Sequence, residues 1–230
     1  MNIVKLFSVS QGMSAIKRYS GLHLIHEESV MEHTGFVCLF VYSLSEEINA
    51  SCYPTITHSE INIGKALKKA VVHDVDEVIT GDIPRPTKYY NKETVNVFSE
   101  IAHQGINSIL DELKIHPVTK NKILSDWYNS KKDREGFIVA LADLASVVYK
   151  LWEEIILLGN KKLLRQAKEV NENIKVFERE IQKTKLLEAG QKLIIYQTIE
   201  QLYDIMSKIM KIENPILGTL KPFKEKVYGV

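Results

Sequence analysis

Apolar residues recur along the chain at the spacing of a helix face, segment after segment. Val30, Val37, Phe40, Val41, Leu44 and Ile48 fall on one stripe with Glu46 and Glu47 off it, a pattern that predicts an amphipathic helix. A second helix is predicted to open at Ser59-Glu60, with Ser59 as N-cap and an apolar face of Ile63, Ala66, Leu67, Ala70 and Val71 that runs into His73. Gly81, Pro84 and Pro86 then break the chain into a loop. A third helix is expected from Lys92 to Leu113 and a shorter one after Pro117. Asp133 is placed to cap a long helix with Phe137, Ala140, Leu141, Leu144, Val148, Leu151 and Ile155 on one face, ended by Gly159-Asn160. Two more are expected over 161–185 and 191–212, the last aligning Ile195, Ile199, Leu202, Met206 and Ile209. Few segments alternate with period two and no glycine-rich strand-to-helix turn occurs. The expected fold is therefore all-α.

Composition narrows the class. Of 230 residues, 45% are hydrophobic and 26% charged, which supports a packed core and argues against disorder. No break in composition divides the chain. The expectation is one core over residues 1–160 and a helical extension over 161–230, packed on it or lying at an oligomer interface. The net charge of +1 gives no global field for polymeric nucleic acid or a membrane. Lysines of 161–185 alternate with glutamates and read as a solvated helix face. Cys38 and Cys52 have no metal-type spacing, so neither a zinc ribbon nor a disulfide scaffold fits. The N-terminal MNIVKLFSVSQGMS has a short apolar patch without the long core and cleavage site of a signal peptide. No stretch reaches the uncharged length of a membrane helix. The expectation is a soluble cytoplasmic protein.

Chemistry gathers in AVVHDVDEVITGDIPRP, residues 70–86, where an apolar run ends in His73-Asp74 and carboxylates follow at Asp76, Glu77 and Asp82. A solvated helix end does not require such a run; a metal site does. His33 starts the Val30 helix. Asp143 lies inside the most apolar part of the long helix, on a face shared with Ala140 and Val147. A buried carboxylate there needs a cation or hydrogen-bond donors. Taken singly, a histidine at a helix start is usually a cap or surface residue, and an aspartate in an apolar helix usually bonds an arginine or backbone. Taken as an ordered set on separate helices, His33, His73, Asp74 and Asp143 suit a six-coordinate divalent ion such as Mn²⁺, Fe²⁺, Co²⁺ or Mg²⁺.

The order H…HD…D resembles the HD superfamily of metal-dependent phosphohydrolases. Within it, HDVDEVITGDIPRPTKYYN, together with RYSGLHLIHEESVMEHT and ADLASVVYKLWEE, resembles the YfbR-type 5′-deoxynucleotidases over residues 15–155. The resemblance implies that His33, His73, Asp74 and Asp143 hold the metal. It implies that Glu77 is the catalytic glutamate, as general acid or general base, that Arg18 binds phosphate, and that Asp82 lies near the sugar 3′-hydroxyl. Tyr19 stands where well-known members carry tryptophan; it keeps a flat aromatic and adds a hydroxyl. Lys88 is either a further phosphate contact or a solvated loop residue. Asp76 reads as solvated, with a supporting position behind the ligands as the alternative. Glu32 either orients His33 or lies on the surface. His23 and His26 are not expected to ligate, and Trp127, Trp152 and Tyr149 are expected in the core. A homodimer is also implied.

The expected reaction is hydrolysis of deoxynucleoside 5′-monophosphates. A dATP triphosphohydrolase releasing triphosphate is the alternative, since both reactions break the bond from O5′ to the α-phosphorus. A non-catalytic nucleotide-binding module stands third.

Overall fold

The computed structural model describes residues 1–52 and 60–213. Its elements are α1 (Ile3–Ala15), α2 (Val30–Cys52), α3 (Ile63–Val72), α4 (Glu77–Thr80), α5 (Arg85–Lys88), α6 (Lys92–Glu112), α7 (Pro117–Tyr128), α8 (Arg134–Trp152), α9 (Leu164–Lys183) and α10 (Ala189–Glu213). Among the described residues the β content is one isolated antiparallel bridge, Lys17 to Ser29, so the fold is all-α as the periodicity predicts. None of these helices is long and apolar enough to cross a membrane.

Two cores form. The larger joins α2, α3, α8, α9 and α10 around Val41, Ile48, Ala66, Leu141, Ile174 and Ile195. The extension after Lys161 thus buries its stripe within the chain: Leu163, Ala167 and Ile174 are each at most 2% exposed. The smaller core joins Val9 of α1 to Ile106, Ile109 and Leu110 of α6, with Leu124 and Trp127 of α7 packed against it. Ala70 belongs to the first core, while Val75 and Val78 pack on the second. The segment carrying the histidine and the carboxylates therefore crosses the seam between them.

Local chemistry sets the helix ends. Ser29 and Glu32 form a reciprocal cap on α2, in which the Glu32 carboxylate accepts from Ser29 N and Oγ (both 2.7 Å) and Ser29 Oγ accepts from Glu32 N (3.2 Å). Glu32 is thereby spent on the helix start and does not orient His33. Ser59, the expected cap of α3, lies outside the described residues; Asn62 caps the helix, its side chain accepting from Lys65 N. Asp133 caps α8 as expected, accepting from Gly136 N at 2.9 Å. α8 ends earlier than Gly159, in a π-helical turn over Glu153–Leu157.

Other expectations need correcting. The N-terminal apolar patch is helix α1, capped by Asn2. Its apolar residues lie all round the cylinder and only Val9 and Met13 are buried, so no single stripe marks it in sequence. On α3 the buried face contains Lys69 and not Val71, which is 53% exposed. Tyr149 is 43% exposed and stacks on Phe36 at 5.1 Å, outside the core.

Candidate active site

Three devices, two polar and one of close packing, bring the expected residues together. First, the chain pairs with itself before α2: Arg18 N donates to Glu28 O (2.8 Å) and Val30 N to Ile16 O (3.1 Å). This pinches off the loop 19–27 and lays Arg18 beside the start of α2, where His33 is. Second, the π-helical turn clamps that loop. Glu154 is fully buried and accepts from Ile25 N (2.9 Å), His26 N (2.8 Å) and Asn160 Nδ2 (2.7 Å), while Lys150 donates to His26 O (2.5 Å). Third, α4 is held between α1 and α6 at two glycines. A Cβ on Gly12 would lie 3.0 Å from Val78 Cγ1, and one on Gly105 2.9 Å from Ile79 Cγ1. A Cβ at Gly105 would force Ile79 to shift and one at Gly12 would crowd Val78, so the two glycines allow the close approach that fixes the short helix beginning with Glu77.

At the seam, side-chain nitrogens and oxygens converge. His33 Nε2 lies 3.2 Å from His73 Nε2, 3.2 Å from Asp143 Oδ1 and 3.4 Å from Asp74 Oδ2. Asp74 Oδ2 is 3.0 Å from His73 Nε2. One ligating atom each from His33, His73 and Asp143 falls within 4.8 Å of the others. His73 Nδ1 donates to Ala70 O at 2.7 Å, so in its neutral form this imidazole carries its lone pair on Nε2, aimed into the cluster. Both histidines are essentially buried, at 1% and 5% exposure. Two imidazole nitrogens with the carboxylates of Asp74 and Asp143 within 3.4 Å of His33 Nε2 make a donor set suited to a divalent cation, and the residues fit it.

The charges around the cluster are arranged to match. Burial works against ionisation of Asp74, yet His73 and Lys131 hold it well below the usual carboxylate range. Asp143 is held down against burial in the same way, with Lys131 and His33 as the cause. Glu77 goes the other way: burial, then the charges of Asp74 and Asp82, push it up to about 9. Asp76 is raised too, chiefly by burial. It is 7% exposed and accepts from Trp127 Nε1 at 2.8 Å, so the expectation of a solvated Asp76 is wrong; it ties α7 to the turn before α4.

Arg18 donates to Glu28 Oε1 (2.7 Å), its Nη1 lies 2.6 Å from His33 Nδ1, and its guanidinium lies 4.9 Å from the Tyr19 ring centre. Tyr19 has φ 59°, a conformation disfavoured for a residue with a bulky side chain, and its N–H donates to Asp82 Oδ2 at 2.5 Å. Gly81, with φ 70°, lets the chain turn back so that Asp82 reaches Tyr19. Arg18, Tyr19, Asp82, Glu77 and the four candidate ligands thus share one site. Lys88 does not join them by a hydrogen bond among the described residues; it is half-buried on α5, near enough to favour the charged form of Asp76. His26 pairs with Glu153 at 2.8 Å, away from the cluster.

Two members escaped sequence reasoning. Lys131 Nζ lies 2.5 Å from Asp143 Oδ2, and Glu28 neutralises Arg18. Lys131 sits in no spacing that points to the site, whereas Glu28 opens the ESVMEH run that ends in His33 and is given no role by it.

Buried polar atoms without a partner single out the same place. Among the described residues they are Arg18 Nε, Tyr19 Oη, Ser45 Oγ, Glu77 Oε2 and Gln166 Oε1, and three of these belong to the site. A buried polar group left unsatisfied costs about 1–3 kcal/mol, so their concentration marks a place built for a ligand.

A helical fold with an H…HD…D cluster at its seam defines an HD-type protein with a divalent-metal site. A YfbR-like 5′-deoxynucleotidase family model matches residues 5–187, and the chain belongs to that family. It is 26% identical to a 5′-deoxynucleotidase of Pectobacterium atrosepticum, over 67% of this chain and 75% of that protein. It is 28% identical to a 5′-deoxynucleotidase of Vibrio cholerae, over 62% and 71%. Its fold is that of an HD-domain phosphohydrolase from Listeria innocua, with a TM-score of 0.58 and 24% identity over 90% of this chain and 99% of that one.

Proposed function

We propose that the chain is a metal-dependent 5′-deoxynucleotidase, hydrolysing deoxynucleoside 5′-monophosphates to the deoxynucleoside and orthophosphate. The observation that carries this reading is the coincidence of a divalent-cation donor set with the unpartnered buried Arg18 Nε, Tyr19 Oη and Glu77 Oε2. One cluster binds a cation; the other atoms await the polar groups of an organic phosphate.

In this reading His33, His73, Asp74 and Asp143 hold the metal. Their nitrogen and oxygen donors favour Mn²⁺, Fe²⁺ or Co²⁺ over Mg²⁺. When bound, the ion supplies Lewis acidity and a water of lowered pKa. The chain's own residues do the rest. Arg18 is a planar fork suited to two phosphate oxygens. Burial and the charges of Asp74 and Asp82 push Glu77 up to about 9 in the metal-free site, which suits it to hold a proton; a cation on Asp74 opposes that shift, so Glu77 serves as general acid to O5′ or as general base to the water. Asp82 is fixed through one oxygen by Tyr19 N, and its other oxygen is available to a sugar hydroxyl.

Residues 1–160 act as the catalytic core, and the described part of 161–230 closes its apolar side. The enzyme acts in the cytoplasm as a homodimer. Phe36, Leu39 and Tyr42 on the outer face of α2 are 46%, 66% and 48% exposed, an apolar strip of the kind a two-fold interface covers.

The test is product analysis. Mn²⁺-supplemented protein is incubated separately with dAMP, AMP and dATP, and the products are resolved by anion exchange. Orthophosphate from dAMP with dATP intact is the expected result. Triphosphate from dATP moves the protein to the triphosphohydrolase reading, and no product with metal bound makes it a binding module.

A further inference from the structure

We propose that Lys131 is the second phosphate-binding cation of this site, placed there by a rigid platform at the start of α8. The inference rests on the phosphomonoesterase reading above and deepens it.

Charge counting raises the question. A divalent cation balances Asp74 and Asp143, and Glu28 balances Arg18 at 2.7 Å. Lys131 pairs with Asp143 Oδ2 at 2.5 Å, on the side away from Oδ1, which faces His33. Once a cation shares the Asp143 charge, Lys131 is left with a weakened partner beside the metal, while Asp82, the site's other carboxylate, is held by Tyr19 N. A weakly paired cation next to a metal disfavours the metal. It is useful only if the ligand to come is an anion. A phosphate dianion meets that description, and Arg18, already paired with Glu28, does not neutralise it alone.

The placement is built. Lys69 on α3 is 1% exposed, and its ammonium donates to Asn129 O (2.5 Å) and Asp133 Oδ1 (2.7 Å). The backbone of Lys131 lies on the first turn of α8 so closely that a Cβ on Gly136 would sit 2.9 Å from Lys131 C and 3.1 Å from its Cα. Asp133 in turn caps α8. The loop 129–133 is therefore fixed at both ends without the Lys131 side chain. The neighbouring Lys132 lies over the Tyr128 ring at 3.3 Å instead. The Lys131 side chain is 39% exposed, so it borders the site where a solute enters.

The experiment measures phosphate and metal separately. Inorganic phosphate is titrated calorimetrically into protein saturated with Mn²⁺, for the wild type, Lys131→Met, Lys131→Gln and Lys131→Arg; Mn²⁺ affinity is titrated without phosphate, and dAMP turnover is recorded. Phosphate affinity is expected to fall about tenfold or more in the Met and Gln variants and to return to within about threefold in the Arg variant. Mn²⁺ affinity is expected to hold or tighten, because a repelling charge is gone. A Lys131 that merely props Asp143 gives the opposite sign, weaker Mn²⁺ binding. Unchanged phosphate affinity at saturating Mn²⁺, or loss of Mn²⁺ binding, overturns the proposal. Should the Met variant not fold, the Gln variant carries the test. If the wild type hydrolyses dAMP while the variants bind phosphate normally, this inference alone fails; if the wild type neither hydrolyses dAMP nor binds phosphate, the functional reading fails with it.

Discussion

Two charge clusters lie along α3 and α8, and the two are built on opposite plans. Near the start of α8, Lys65 and Lys69 meet Asp133 and Glu135 at 2.7–2.8 Å, Glu135 also receives Arg134 (2.8 Å), and the Lys69 ammonium takes a carbonyl as well. Each charge faces its opposite and no buried atom of these side chains lacks a partner. At the far end of α3 and farther along α8, His73, Asp74 and Asp143 crowd together with His33 of α2, and Arg18 Nε and Glu77 Oε2 lie buried without partners. A closed network fixes the backbone. An open one keeps unsatisfied electrostatic potential for something not yet there. Removing a member should therefore cost stability at the first cluster and ligand or turnover at the second.

The largest effect is expected at Asp74. Asp74→Ala removes one proposed ligand and should lose metal together with turnover, by on the order of a thousandfold or more. Metal content after dialysis and dAMP hydrolysis are the readouts. A variant that keeps both would remove the distinction between the clusters.

Glu77 sharpens the comparison because it is proposed to carry a proton and not to coordinate. Glu77→Gln should retain metal while turnover falls by about 10²–10⁴. It should also act on the metal-free fold in a direction set by the sign of the shift. Burial and the neighbouring carboxylates raise the folded-state value to about 9 from an ordinary 4.5. Between those values the unfolded chain has lost this proton while the folded chain keeps it, so stability falls as pH rises from about 4.5 to about 9. Glutamine does not titrate. The melting-temperature advantage of Glu77→Gln over the wild type should widen across that interval, and a gap flat with pH would refute the raised value.

At the closed cluster the expected damage is to the fold. Lys69→Met leaves Asp133 with Lys65 as its remaining cation. Asp133 is 35% exposed, so the loss should be about 2 kcal/mol, below the 3–5 kcal/mol typical of a stranded buried charge. Urea unfolding measures it. Against the cost of burial, Lys65 and Lys69 hold Asp133 below its usual range. That stability is present above the unfolded pKa of about 3.9 and is lost as pH falls through the lowered folded value. Lys69→Met should flatten this acid limb and leave Mn²⁺ affinity near that of the wild type.

What was legible in sequence follows the same division. His33, His73, Asp74 and Asp143 stand out because each interrupts or ends an apolar stripe, where an unexplained polar residue has to be solvated, paired or ligated. Lys69 also interrupts a stripe, but a lysine in a lysine-rich segment reads as solvated; its partners lie 60 and 64 residues away. Asp76 was misjudged for a like reason, since the Trp127 that covers it comes 51 residues later. Lys131 left no signal, because loop 129–133 is placed by Lys69 and by the closeness of Gly136, contacts that no local period encodes. Helix α1 was missed because its burial is too sparse to write a stripe.

The smallest and sharpest effect belongs to Tyr19. Its hydroxyl is buried and unpartnered while its backbone N–H holds Asp82. Phenylalanine keeps the ring, the Arg18 stacking and that backbone bond, and removes one oxygen. If the hydroxyl serves the fold, Tyr19→Phe must destabilise the free protein. If it is kept for substrate, the free protein loses nothing and can gain, because an unsatisfied buried group has gone. The expected outcome is an unchanged or slightly raised melting temperature together with a KM for dAMP raised about fivefold, roughly 1 kcal/mol. With kcat nearly constant, the lost contact is one made equally in the ground and transition states. A lowered melting temperature with unaltered KM would assign Tyr19 to the closed, structural kind of cluster and leave Arg18 and Glu77 as the open one.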